Sequence, residues 1–298
     1  MSTTLTPSAN AAALPARGMS PRQRTWRRFF DGPVGYITTG ILALFVVVGV
    51  FGPMVVKYPS GLGTSILQPP SAQNWFGTDG LGLDVFAEVV WGTRMSLLVA
   101  LFAGLIAVTI GAFLGIAAAY FRRLDPIITT LTDVMLSLPL LPLMIVVTAM
   151  VGPSIVTLTL VIGFFSWPEI CRLIRANALV VSALPFIDGA RAIGSSPLRI
   201  MLKEILPMVS PLLVVNALLT GARAVISEAG LSFLGLGDPD TWSWGRILQS
   251  AQRDGVLVSA WWQTLFPSIA ILLLVLSATI IGMRFNDSRT ASFTGVKP

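Results

Sequence analysis

Ser182-Ala-Leu-Pro-Phe-Ile-Asp-Gly-Ala-Arg-Ala-Ile-Gly-Ser-Ser-Pro-Leu-Arg-Ile-Met-Leu-Lys-Glu-Ile-Leu-Pro207 is a polar, basic island in a chain built otherwise mostly of apolar runs. Its punctuation predicts two short helices meeting at a corner. Pro185 opens the first, which carries Asp188, Gly189, Ala190, Arg191 and Ala192 and stops at Gly194. Ser195 or Ser196 caps the second, with Pro197 in the first turn, where a missing N–H costs little. Leu206-Pro207 is expected to end it. A segment of this kind between two apolar runs is where a soluble partner can be held.

Working outward, the chain has a mean hydropathy of +0.80, with 54% hydrophobic and 11% charged residues, a composition that places it with membrane proteins. A net charge of +6 in such a chain speaks first of topology and anionic lipid. No nucleic-acid motif accompanies it. With no His and the single Cys171, zinc sites and Ser/Cys–His catalysis are excluded on inventory.

Residues 1–33 read as a disordered, basic cytoplasmic tail with Arg17, Arg22, Arg24, Arg27 and Arg28 ahead of the first apolar run. A first span, 34–56, lacks a convincing cleavage site and is expected to be retained. Residues 57–94 form a Pro- and Gly-broken outer loop ending in Trp75-Phe-Gly-Thr-Asp-Gly-Leu-Gly-Leu-Asp84. Its two aspartates lack the ligand alternation of a calcium loop and the Lys of a phosphate loop, so turn chemistry is the reading. The core, 95–283, follows.

In that core a second span runs from Met95 to Phe121, with Ala103, Ala107, Gly111, Gly115 and Ala119 in one small-residue stripe that invites close helix packing. A third, Asp125 to about Gly152, contains Pro139 and Pro142 and is expected to bend. A fourth runs from about Pro153 into Arg172, and a fifth from roughly Met208 to Leu236. A short amphipathic piece spans about Ile247–Val256. The sixth starts at Trp261 and Trp262, taken as interfacial anchors, and ends near Met283, leaving 284–298 as a cytoplasmic tail.

With the N-terminus inside, only Lys57, Arg94, Arg246 and Arg253 among the 20 basic residues fall outside, and Arg223 falls within a span. That positive-inside bias puts the Ser182–Pro207 segment in the cytoplasm. Asp133, Glu169, Arg223 and Glu228 lie within or at the edge of spans, where a charge usually faces a cavity or a partner. Glu169 and Arg172 share a helical face and can pair; Arg223 and Glu228 sit off a common face. Each reads either as a structural hydrogen-bonding group or as a lining of a path.

Asp188-Gly189-Ala190, Gly194 and Leu206-Pro207 resemble the "EAA loop" of ABC importer permeases, with Asp for the Glu and Gly for the first Ala. Gly77-Thr-Asp-Gly-Leu-Gly-Leu-Asp84 resembles the Gly-Thr-Asp segment of the dipeptide/oligopeptide/nickel branch, with Leu83 where that branch usually has Arg. The Gly-Leu-Gly…Ser-Trp-Gly run, Gly235 to Gly245, resembles the same branch, while the C-terminal tail departs from it.

The resemblance implies an all-α type I importer permease fold with six transmembrane helices and a cytoplasmic coupling helix. It implies a bacterial inner (plasma) membrane location with both termini cytoplasmic. Partners implied are a homologous second permease, two cytoplasmic ATPases and an extracellular solute-binding protein. Asp188, Gly189, Ala190, Arg191, Gly194, Leu206 and Pro207 would couple to the ATPases. The cargo implied is small peptides, with nickel chelates or oligosaccharides as alternatives.

The chain has no Gly-x-x-x-x-Gly-Lys-Ser/Thr loop, so it is expected to be no enzyme and to carry no cofactor, with ATP and Mg bound by the partner ATPases. An ion-coupled secondary transporter would need a carboxylate relay and usually an internal repeat; the carboxylates are scattered and no repeat is evident. A non-transporting scaffold fits the bent third span and long inner loop less well.

Overall fold

The computed structural model describes residues 33–294, with side chains to residue 285. The expected N-terminal tail and the end of the C-terminal tail lie outside the described residues. Lipid offers no hydrogen bonds, so a spanning backbone must satisfy itself, and among the described residues it does so as helices. Five helices are long and apolar enough to cross a membrane, and a sharply bent pair makes a sixth crossing element.

The first helix, α1, is Pro33–Val55. The second, α2 (Val85–Tyr120), begins well before the expected Met95 because Asp84 caps it: its Oδ1 accepts from the Phe86 N–H at 3.1 Å. The outer loop therefore ends at Asp84, not at Arg94. The third span is α3 (Asp125–Ser137) and α4 (Leu140–Val151), turned 87° from each other. The break is sharper than the expected bend. Leu138, ahead of Pro139, is driven out of the helical region to ψ 142, which stops α3 outright.

The next span is α5 (Ile155–Phe165) followed by α6 (Trp167–Ser182). It runs past Arg172 to the start of the polar island. After the short α7 (Pro185–Ala192), one long helix, α8, takes in Pro197–Leu236. Leu206-Pro207 thus does not end a helix. The turns from Ile200 to Ile205 are π-helical, and the Leu206 N–H reaches back five residues to the Met201 carbonyl. That wider turn gives the Pro207 ring room against the preceding turn, so the helix runs on through a residue that donates no N–H. A second π segment, Ser232–Leu236, ends α8 at Gly235, whose φ is +90°.

The amphipathic piece is α9 (Trp244–Arg253), capped by Ser243, and α10 begins at Trp261 and continues past Met283 to Thr294.

The small-residue stripe organises the bundle. All five residues are buried, and a Cβ on Gly111 or Gly115 would stand 2.9 Å from the Trp167 carbonyl or 2.7 Å from that of Cys171, both on α6. Gly221 of α8 lies as close to the Ala100 carbonyl, nearer the start of α2. Helix α2 is therefore the central post, touched by α1, α5, α6 and α8.

At the outer end, aromatic donors tie loop to helix. The Trp242 Nε1–H donates to the Pro59 carbonyl at 2.9 Å, that of Trp91 to Val56 at 3.1 Å, and the Tyr58 hydroxyl to Asp240 at 2.7 Å. Trp262 joins them: it is buried and donates to the Thr78 carbonyl at 3.0 Å, so only Trp261 keeps the exposed position expected of an anchor. Leu83 is buried with Trp242, Trp244 and Ile247, so this position serves apolar packing here instead of a charge.

Candidate coupling surface and charge ladder

The polar island folds as its punctuation predicts up to Ile205. Pro185 sits in the first turn of α7, and the chain leaves at Gly194 (φ +80°) in a Schellman turn. The Ser195 N–H bonds the Ala190 carbonyl and the Gly194 N–H that of Arg191. Ser196, not Ser195, caps the next helix, accepting from the Arg199 N–H.

One face of this corner is held. Ile187 is fully buried with Ile200 and Ile205, and the Arg191 guanidinium pairs with Asp188 at 2.8 Å while lying 5.1 Å above the Tyr120 ring at the end of α2. The other face is open. Phe186, Ile193, Leu198 and Leu202 are exposed, Ile193 by 83%. Gly189 and Gly194 have nothing within 4 Å of where a Cβ would stand. The arrangement is a short rigid lever with an uncovered apolar side, at the end that the positive-inside rule assigns to the cytoplasm.

The intramembrane charges do not pair as helical spacing suggests. Arg172 turns away from Glu169 to Asp133 on α3, at 2.5 Å, and Glu169 pairs with Arg223 on α8. One turn further down α6, Arg175 forms a two-pronged pair with Asp125, with Nη2–Oδ2 at 2.8 Å. Three ion pairs thus climb one face of α6. Glu169 lies roughly 20 Å from the outer end of its span and Arg223 roughly 20 Å from the outer end of α8, at 1.5 Å per residue, within a hydrocarbon layer of ~30 Å.

Glu228 stands apart from this face. It is buried inside the bundle, where Oε1 accepts from the Ser232 hydroxyl at 2.7 Å and Ser96 and Ser243 lie close by. Sequence reasoning singled out the four intramembrane charges but offered Glu169 only Arg172 as a partner, and it took Asp125 and Arg175 as lying at or beyond span ends. It also passed over Glu88, a fully buried carboxyl in the first turn of α2, beside Asp79.

Asp79 is the hinge of the outer loop: its Oδ1 accepts from the Leu81 N–H at 2.9 Å and the Leu83 N–H at 2.6 Å. Burial pushes its carboxyl above the ordinary carboxylate range, opposed by those two backbone donors.

Sequence comparison places this architecture. Residues 107–290 match the family described as binding-protein-dependent transport system inner membrane component. The chain belongs to that family of ABC importer permeases. Residues 20–70 of the permease also match the N-terminal transmembrane domain of oligopeptide transport permease C.

Two relatives cover the permease almost end to end. One is a Brucella suis protein named as a peptide transport system permease, 34% identical over 94% of this chain and 95% of its own. The other is the glutathione transport system permease protein GsiD of Escherichia coli, 34% identical over 94% of each. The permease is therefore a multi-pass inner membrane protein and the transport component of an ATP-driven importer.

Proposed function

We propose that the permease forms one half of a path for short peptides and that its α7 corner is the seat of a cytoplasmic ATPase. The observation that carries the coupling role is the corner's two-sidedness: Ile187 is sunk in the bundle while Phe186 and Ile193 project uncovered. A buried root makes the corner move with α2 and α8; an apolar outer face gives a soluble partner something to grip. Asp188, Gly189, Ala190, Arg191 and Gly194 shape that lever, and Leu206 and Pro207 carry it into the membrane through the π turns. ATP-driven closure of the partners then switches the spans between two openings.

ATP and Mg stay on those partners. The other half is a homologous permease, and an extracellular binding protein delivers the cargo. Both termini lie in the cytoplasm. Peptide as cargo rests on the names of the relatives. An ion-driven carrier finds no support in the charges: Asp133 and Glu169 are each held by an arginine and form no carboxylate relay.

Copurification of the tagged chain from its native membrane tests the coupling surface. ATPase subunits and a second permease are expected with wild type; in Ile193→Asp the ATPases drop away and the permease partner stays. No ATPase with wild type under any gentle condition, or an unchanged complement with Ile193→Asp, overturns the assignment.

A further inference from the structure

The ladder on α6 is exposed where a membrane protein can least tolerate it. The side chains of the Arg223–Glu169 pair are 52% and 51% accessible and those of Arg172–Asp133 are 60% and 57% accessible, against 29% and 28% for Arg175–Asp125. Half-open charges at this depth do not face lipid chains, so the surface bearing them borders water or another protein. The lowest rung, two-pronged and half as exposed, clamps α3 to α6. The upper two rungs are left half uncovered by the described residues of this chain.

We propose that the upper two rungs are a transit site for the charged ends of a free peptide, with Arg223 and Arg172 taking its α-carboxylate and Glu169 and Asp133 its α-ammonium. This rests on the reading of the chain as a peptide permease. Three features of the geometry argue for a zwitterion.

Each rung is neutral, so the wall does not select for net charge, yet it offers separated positive and negative groups. Glu169 and Arg172 are one turn apart, about 4.5 Å along α6, and Arg223 reaches in from α8. An extended di- or tripeptide spans at most about 7–11 Å between its ends, more than that one-turn step, and the difference is taken up by the long side chains of the two rungs, which come from three helices. Finally, an exposed ion pair is weakly held and a bound terminus replaces the partner it displaces, so charge is exchanged like for like. A site of that kind passes its ligand on instead of trapping it.

Guanidinium and carboxylate fix the roles: the arginine fork matches a carboxylate with two parallel N–H donors, and a carboxylate accepts from an ammonium. A cargo without free termini has nothing to trade for the pairs it must open.

The test uses the assembled importer, purified with and without its binding protein, and three probes: trialanine, N-acetyl-trialanine and trialanine amide. Direct binding to the complex without the binding protein removes that protein's own preferences from the comparison. ATP-driven uptake into vesicles then reads transport. Glu169→Gln is expected to weaken trialanine binding and uptake about tenfold while changing the N-acetyl peptide about twofold or less. Arg223→Gln is expected to do the same for peptides with a free carboxylate and to spare the amide.

The double exchange Glu169→Arg with Arg223→Glu, which keeps a neutral rung, recovers most of the trialanine signal. Co-elution of the variants with their partner subunits controls for folding. Equal losses for all three probes, or no loss for any, overturn the site: the first makes the ladder a structural clamp, the second a covered contact with the other permease. Wild type that hydrolyses ATP but binds and moves none of the peptides overturns the peptide reading itself, and the site with it.

Discussion

The two ends of this permease solve opposite problems with similar material. At the outer end, residues 56–84, α9 and the start of α10 use tryptophans, prolines and glycines to close on themselves, and four indoles, those of Trp91, Trp242, Trp244 and Trp262, donate inward. Trp244 is fully buried with an edge-on contact to Phe45. At the inner end, α7 itself buries only Ile187 and leaves Phe186 uncovered, with Ile193 open just beyond it. A chain that can cover tryptophan so thoroughly at one end is not short of means at the other. Under the proposed coupling role, the open end is left for the ATPase to complete.

If that contrast is sound, truncating the closed end should cost stability and truncating the open end should not. Trp244→Ala removes the largest fully buried side chain and its hydrogen bond to the Val89 carbonyl, so a loss of about 3–5 kcal/mol is expected, read as a large fall in melting temperature in detergent.

Asp79→Ala strands the Leu81 and Leu83 N–H groups and should cost about 1–3 kcal/mol, whereas Asp79→Asn keeps an acceptor and costs little. The acid form also makes the outer loop sensitive to pH. Burial holds the Asp79 carboxyl above its unfolded value, so the folded state favours the proton. Its contribution is therefore full below about pH 4 and is lost as pH rises through the raised value. Melting curves from pH 4 to 7 should decline less steeply in Asp79→Asn than in wild type.

Gly189→Ala sharpens the comparison from the other side. Nothing lies within 4 Å of the new Cβ, and an alanine inside α7 should add about 0.5–1 kcal/mol of stability. The smallest effect belongs to Ile193→Asp, expected to melt within about 0.5 kcal/mol of wild type even as it sheds the ATPase. A melting loss comparable to that of Trp244→Ala would mean that Ile193 is part of the bundle, and the contrast between the ends would fail.

Much of the fold was legible because its signals are local. Long apolar runs give spans whatever their neighbours do, since lipid demands them. The stripe from Ala103 to Ala119 announced a close packing face because only small side chains let two backbones meet. The corner at Gly194 could be placed, and the cap narrowed to Ser195 or Ser196, because a left-handed turn and a side-chain acceptor are properties of a few consecutive residues.

What spacing could not give was the choice among partners. Glu169 had Arg172 within reach on its own helix, yet Asp133 and Arg223 arrive from α3 and α8 and divide the pair between them. Leu206-Pro207 reads as a stop in sequence, and only a π turn packed through Ile200 and Ile205 lets the helix run on. Trp262 reads as an anchor until the Thr78 carbonyl is folded down beside it. Sequence by itself determined where the chain crosses and where it turns, because those are decided by solvent and backbone over short stretches. The tertiary structure alone decided which charges face each other and which surfaces stay open, because that depends on helices brought together from distant parts of the chain.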